Sequence, residues 1–174
     1  MAALPLLAAE DHVCPSCQLA YEGVALAAIA QRLRAVTADI RALIEGLGPA
    51  ELTRRPDEQT WSALEYLCHV RDVYVASTIR LYRTRKESAP QIEPVFNDLR
   101  VLRFRYNRAD VRGVLHEMEL ALEGLIDEMA RTSDWERTFT RQPGEERTAR
   151  WLVRQALHEA MHHAADMRAS AAPA

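Results

Sequence analysis

The sequence predicts an all-α protein built as a bundle of four long helices. In four segments apolar residues recur every three or four positions, whereas the alternation typical of a half-buried strand is almost absent. Gly and Pro residues separate the segments, as expected at helix ends. The chain has 174 residues, of which 48% are hydrophobic and 27% charged. It can therefore bury a core, which excludes wholesale disorder and a disulfide-stapled miniature fold.

The first two helices have recognisable ends. The first is predicted from about Leu19 to Leu47, where Gly48-Pro49 stops it. Its apolar stripe consists of Leu26, Ile29, Leu33, Val36, Ile40, Leu43 and Leu47. The second helix opens after Ser62, because Ser62 and Glu65 have the spacing of a capping box. It is predicted to end near Lys86.

The second half of the chain begins with a long connection. Two prolines interrupt residues Ser88–Pro94, so a crossover is expected to start there. The third helix is predicted over about Ala109–Arg131, and a loop follows over Thr132–Arg147. Thr148 is the expected N-cap of the fourth helix, which ends near Arg168.

We expect the chain to divide into three parts. Residues 1–18 form an N-terminal arm that carries a Cys-x-x-Cys motif, residues 19–169 form one bundle domain, and residues 170–174 form a disordered tail. The apolar opening stretch has no basic n-region, and no run approaches the roughly 20 apolar residues of a membrane helix. We therefore predict a cytoplasmic protein with no membrane partner.

Histidines on two predicted helices suggest a metal site. His158 and His162 are four residues apart, so their side chains lie on one face of the fourth helix and can share one divalent ion. His69, on the second helix, is the candidate third ligand. All three lie on the polar faces of their helices, so they are either solvated or line an open cleft. His163 falls on the apolar side, which favours a core imidazole that is hydrogen-bonded to a neighbour.

A second motif precedes the first helix. Cys14 and Cys17 have metal-ligand spacing, but a complete structural zinc site needs four ligands and must recruit His12, Cys68 or another subunit. Plain reduced thiols and redox chemistry remain alternatives, although the βαβ context of redox motifs is absent. Cys68 itself is expected to be a core thiol.

Five arginines cluster in residues 100–112, with Phe104 and Tyr106 among them. This cluster could contact nucleic acid, form the anion-binding wall of a cleft, or be a solvated helix face. The net charge of −3 and the acidic third helix argue against nucleic acid. We therefore expect no nucleic-acid partner.

Two short motifs resemble those of a known family. Residues 61–69 (WSALEYLCH) and 158–163 (HEAMHH) are similar to two motifs of the DinB/YfiT-like superfamily of metalloenzymes. The resemblance implies a four-helix bundle in up-down-down-up order, with a long crossover between the second and third helices. It also implies that His69, His158 and His162 bind one divalent ion, commonly zinc or nickel, in a protein that is often a homodimer.

The resemblance leaves two classes of function open. Characterised relatives include a mycothiol-dependent maleylpyruvate isomerase and S-transferases that use bacillithiol or mycothiol. The first class is therefore an enzyme whose metal activates a small-molecule thiol toward an electrophile, or activates water for hydrolysis. The second class is a non-catalytic dimeric metal-binding or stress-response bundle. Residues 91–108 lack a clear aromatic-rich substrate motif, so the sequence names no substrate and no catalytic residue.

Overall fold

The computed structural model describes residues 5–172 and confirms the four-helix bundle. Four long helices form the bundle, and two short helices and a small hairpin lie in the connections. In chain order the elements are α1 (Leu26–Glu45), α2 (Pro49–Thr53), α3 (Ala63–Lys86), α4 (Asn97–Arg103), a 3-10 turn (Tyr106–Arg108), α5 (Val111–Ala130), β1 (Thr138–Thr140), β2 (Glu146–Thr148) and α6 (Ala149–Ala171).

Ion pairs between α3 and α5 show that these two helices run in the same direction. Arg71, early in α3, lies 2.6 Å from the carboxylate of Glu117, early in α5. Arg85, late in α3, lies 2.6 Å from the carboxylate of Glu128, late in α5. Two parallel helices need a connection as long as the bundle, which explains the crossover between them.

The other two long helices run the opposite way. Arg34 of α1 pairs with Glu123 of α5. Arg41, which lies further along α1, pairs with Glu119, which comes earlier in α5. Ser170, near the end of α6, donates a hydrogen bond to the backbone of Trp61, just before α3. Thus α1 is antiparallel to α5 and α6 is antiparallel to α3. The order is up-down-down-up.

The crossover is fastened to α3 by a buried carboxylate. Asp72 accepts hydrogen bonds from Arg100 of α4 at 2.8 Å and from the hydroxyl of Tyr106 in the 3-10 turn. Burial alone raises the pKa of Asp72, but the hydrogen bonds from Arg100 and Tyr106 and the charge of Arg71 outweigh it and lower that pKa. Arg100, from the predicted arginine cluster, is therefore committed to holding the fold.

The first helix begins later than the sequence predicts. It starts at Leu26 rather than Leu19, because Gln18 adopts a left-handed backbone (φ 58°) and Ala20 pairs with Val13 in an antiparallel bridge. The arm ahead of it packs on α6. The indole of Trp151, for example, donates to the carbonyl oxygen of Ala8 at 3.1 Å.

Two further differences lie near α6. The predicted loop Thr132–Arg147 contains the antiparallel hairpin of β1 and β2, in which Phe139 is fully buried. Three-residue strands carry too little alternation to be recognised from sequence. The helix α6 extends through Ala171, so residues 170 and 171 of the predicted tail are helical, and residues 173 and 174 lie outside the described range.

The core lies where the four long helices meet. Fully buried side chains from each helix fill it, among them Ile29, Leu33, Leu67, Tyr74, Leu115, Met118, Val153 and Leu157. Within residues 5–172 every helix is too short or too polar to cross a membrane.

Candidate metal centre

The start of α3 fixes the position of His69. Ser62 caps the helix and accepts from the backbone N–H of Glu65, whose carboxylate accepts from the N–H of Ser62, which confirms the capping box. Arg55 lies 2.7 Å from the same Glu65 carboxylate. His69 follows one helical turn later and is only 3% exposed.

Two residues of α6 face His69. The Nε2 atom of His69 lies 3.1 Å from Oε2 of Glu159, and the Nε2 atom of His163 lies 3.1 Å from the same oxygen. Glu159 and His163 are four residues apart and thus share one face of the helix. One ligand atom from each residue lies within 4.8 Å of the others. Two imidazoles and a carboxylate form a donor set that binds zinc and leaves a position open for water or substrate.

Neighbouring polar groups orient this cluster, which we call the His-Glu-His cluster (His69, Glu159 and His163). Asp166 lies 2.8 Å from Nδ1 of His163, and Gln155 donates to the second carboxylate oxygen of Glu159 at 2.8 Å. Carboxylates that hold the remote nitrogen of a ligating histidine are common around metals. The residues present therefore fit a divalent ion.

The same contacts shift the pKa values of Glu159 and His163. Burial opposes ionisation of Glu159, but hydrogen bonds from His163 and His69 keep its pKa well below the ordinary value. Burial opposes protonation of His163, but the carboxylates of Asp166 and Glu159 raise its pKa to about 9. These contacts thus favour the ionised form of Glu159 and the protonated form of His163.

The structure places the three predicted ligands in two clusters. His69 joins Glu159 and His163, whereas His158 and His162 join Cys14 and Cys17 of the arm. The reason is helical geometry, since adjacent helix residues point about 100° apart and the polar face of α6 spans both directions. His158 and His162 face the arm, and the next pair along the helix faces α3.

Glu159 is not among the ligands that the sequence predicts, and His163 is predicted only as a core imidazole. The signal was present, because residues 158–163 (HEAMHH) contain the four-residue spacing twice, once as His158/His162 and once as Glu159/His163. The helical wheel alone does not say which pair faces α3. Cys68, by contrast, is a core thiol as expected: it is fully buried, and burial raises its pKa to about 12.

The His-Glu-His cluster lies at a cleft of about 420 Å³ between α3, α6, the crossover and the arm. His69 and Glu159 line this cleft together with Arg80 and Arg141. Arg141 is paired with the buried carboxylate of Glu145 at 2.9 Å. Within the described part of the chain Arg80 has no carboxylate partner, and its guanidinium donates to a backbone carbonyl instead. Burial and the nearby charge of Arg141 lower the pKa of Arg80 to about 10, so it remains a cation.

These features define an α-helical bundle with a set of metal-binding side chains beside a cleft that both apolar and charged residues line. The chain belongs to the DinB superfamily, whose sequence profile matches residues 32–167. No curated protein matches the sequence significantly.

Two solved structures have a similar fold. YfiT from Bacillus subtilis, described as a probable metal-dependent hydrolase with an unusual four-helix bundle topology, superposes with a TM-score of 0.78 at 18% identity, over 86% of this chain and 89% of that one. TT2238, described as a four-helix bundle protein, gives a TM-score of 0.62 at 22% identity, over 83% of this chain and 99% of that one. At these identities the likeness shows the fold alone.

Proposed function

We propose that the protein is a divalent-metal-dependent enzyme whose metal is held by His69, Glu159 and His163 and whose substrate is a small anion. The observation that carries the proposal is the convergence of two imidazole Nε2 atoms on one carboxylate oxygen at a cleft. This ligand set replaces the set His69, His158 and His162 expected from the sequence. Zinc and nickel both suit a site rich in imidazole.

A divalent ion held by His69, Glu159 and His163 would supply Lewis-acid chemistry, lowering the pKa of a coordinated nucleophile or polarising a carbonyl group. The side chains of the protein would bind the ion and orient its ligands. Asp166 and Gln155 hold His163 and Glu159 in place, and the rings of Trp61 and His69 pack in a T-shaped arrangement with their centroids 5.3 Å apart. Fixed donors of this kind keep the ligand geometry constant through a reaction.

The position of Arg80 supports the proposal that the substrate is an anion. A guanidinium forms paired hydrogen bonds with a carboxylate. Arg80 lines the cleft, and among residues 5–172 no carboxylate forms an ion pair with it, although the charge of Glu159 acts on it from a distance. Leu6 and Leu7 of the arm form an apolar wall of the same cleft. A substrate that carries both a carboxylate and an apolar portion fits this lining.

Two reactions are compatible with the site. Hydrolysis is supported by the description of YfiT as a probable metal-dependent hydrolase. Transfer of a carboxylate-bearing low-molecular-weight thiol, such as bacillithiol, to an electrophile is supported by Arg80, because an arginine can hold the carboxylates of that thiol. In the second reaction the thiol proton passes to solvent, the thiolate sulfur forms a bond to the electrophilic carbon, and the bond from that carbon to its leaving group breaks, with chloride released from monochlorobimane.

The competing function is a non-catalytic bundle. In that case the His-Glu-His cluster is a permanent ion pair that stabilises the contact between α3 and α6. The two possibilities differ in metal content and in turnover.

The experiment measures both. Protein loaded with Zn²⁺ or Ni²⁺ and then desalted is analysed for metal, and is assayed for conjugation of monochlorobimane to mycothiol or bacillithiol and for hydrolysis of carboxylate-bearing esters and amides. His69→Ala and His163→Ala should lose the metal of this site and the turnover. The control His116→Ala changes an exposed histidine of α5 and should keep both. Equal metal content in wild type and His69→Ala would overturn the proposed site, and bound metal without turnover in either assay would favour the non-catalytic bundle.

A further inference from the structure

The arm and α6 bring together four metal-binding side chains that the proposed enzyme does not use. Ligand atoms of Cys14, Cys17, His158 and His162 all lie within 4.8 Å of one another. In a tetrahedral zinc site of two thiolates and two imidazoles these atoms are about 3.3–3.8 Å apart. A small inward shift of the side chains therefore suffices to surround an ion.

The two cysteines lie in a tight turn of the arm, and backbone N–H groups of this turn face their sulfur atoms. The N–H of Gln18 donates to the carbonyl of Cys14 at 2.8 Å, and the left-handed backbone of Gln18 closes a tight turn. Within this turn backbone N–H groups of Ser16 and Cys17 face the Cys14 sulfur, and that of Leu19 faces the Cys17 sulfur. Converging N–H groups stabilise an anion, and the thiolate is the form of cysteine that binds metal.

His158 has one buried ring nitrogen that is available to bind a metal ion. Its Nδ1 atom lies 3.0 Å from the hydroxyl of Tyr21. Its Nε2 atom is buried and, across residues 5–172, has no hydrogen-bond partner. A buried ring nitrogen without a partner is unfavourable, whereas a bound ion would satisfy it while Tyr21 fixes the other nitrogen.

His162 is oriented in a similar way. Its Nδ1 atom lies 3.5 Å from Sγ of Cys14, and its Nε2 atom lies 3.5 Å from a carboxylate oxygen of Asp166. A histidine that faces a ligand sulfur with one nitrogen and a carboxylate with the other has the arrangement usual in zinc sites.

We infer that Cys14, Cys17, His158 and His162 form a closed Zn²⁺ site that fastens the N-terminal arm to α6. Four protein ligands leave no position for substrate, which is the mark of a structural rather than a catalytic site. Among the described residues none of these four lines the cleft of the His-Glu-His cluster. The arm that the ion holds does line it, through Leu6 and Leu7. The site thus secures one wall of the cleft.

The test combines metal analysis with cobalt substitution. Reduced wild-type protein loaded with zinc and desalted should carry about one more zinc ion per chain than Cys14→Ser or Cys17→Ser. Cobalt-loaded wild type should show the thiolate-to-cobalt charge-transfer band and the intense visible bands of tetrahedral cobalt, and His158→Ala and His162→Ala should weaken them. The matched controls Cys68→Ala and His116→Ala should leave them unchanged.

A second measurement keeps the inference testable if a cysteine variant does not fold. Titration of wild-type zinc protein with a mercurial reagent should release zinc in step with modification of Cys14 and Cys17, and peptide mapping should show the buried Cys68 reacting later. A disulfide between Cys14 and Cys17 in zinc-loaded protein, or a cobalt spectrum without a thiolate band, would overturn the inference. His69→Ala should keep the thiolate band, so this site and the proposed catalytic site can fail independently.

Discussion

Among single residues of α6, a shift of one position changes the metal-binding group to which a side chain belongs. His158 and His162 face the arm, while Glu159 and His163 face His69. Asp166 lies next to both groups, 2.8 Å from His163 and 3.5 Å from His162. It is therefore a positioning residue shared by the two proposed sites.

Asp166→Asn is expected to weaken metal binding at both sites. Loss of the carboxylate leaves the remote nitrogens of His162 and His163 without their charged partner, and changes of this kind lower metal affinity by about 10–100-fold. Competition with a chelator measures zinc affinity, and cobalt spectra separate the sites. Asp127→Asn, an exposed carboxylate of α5, serves as the control. Unchanged affinity at both sites would contradict the role given to Asp166.

Arg80→Met should impair substrate binding more than turnover. A charge-assisted hydrogen bond contributes about 1.5–3 kcal/mol, so KM for a carboxylate-bearing substrate should rise about 10–100-fold while kcat changes little. Steady-state kinetics with the substrate and with its neutral amide analogue check this prediction. If KM rose equally for both, Arg80 would not be binding the carboxylate.

Among the helices, the sequence predicts a helix end correctly where a capping residue is present. Ser62 and Glu65 marked the start of α3, and Thr148 marked the start of α6, as the structure confirms. The start of α1 was missed because residues 19–25 have apolar spacing but are drawn into the turn around the two cysteines. That turn depends on contacts with α6, which no local pattern encodes.

Asp72→Asn should loosen the crossover and lower the stability. The change removes the buried negative charge that pairs with Arg100 and Tyr106, and the free energy of unfolding should fall by about 2 kcal/mol. This is less than the loss of about 3–5 kcal/mol for a fully buried pair, because Arg100 is partly exposed. Denaturant unfolding measures the loss of free energy. Proteolysis at the crossover should also become faster.

The same carboxylate should make the stability depend on pH in acid. Its pKa is lower in the folded protein than the about 3.9 of an unfolded chain. Its contribution is therefore fully present above about pH 4 and is lost as the pH falls through the folded pKa. The free energies of unfolding of wild type and Asp72→Asn should converge as the pH falls below about 4. A difference that stays constant over that range would contradict the assignment.

At the scale of the whole molecule, the sequence predicted the bundle and the need for a long crossover, but only part of the metal chemistry. The residue types that carry the site were all visible, yet the pairing of His69 with Glu159 and His163 depends on the rotation of α6 against α3. Likewise, the partners of Cys14 and Cys17 come from the far end of the chain. Long-range packing of this kind leaves no periodic signature.

We propose that the protein is a homodimer. Val75, Ile79 and Tyr82 form an exposed apolar stripe on α3, and Leu120 of α5 is also exposed. Such stripes often mark a contact between copies. Sedimentation should show a dimer at micromolar concentration, and Ile79→Glu should shift it toward monomer. A wild-type protein that sediments only as a monomer would contradict the proposal.

We propose that α6 contributes ligands to two metal sites, one facing the arm and one facing α3. Anomalous diffraction at the zinc edge, from crystals of zinc-loaded protein, tests it most directly. We expect one peak among Cys14, Cys17, His158 and His162 and a second among His69, Glu159 and His163. A single peak shared by His69, His158 and His162 would contradict it.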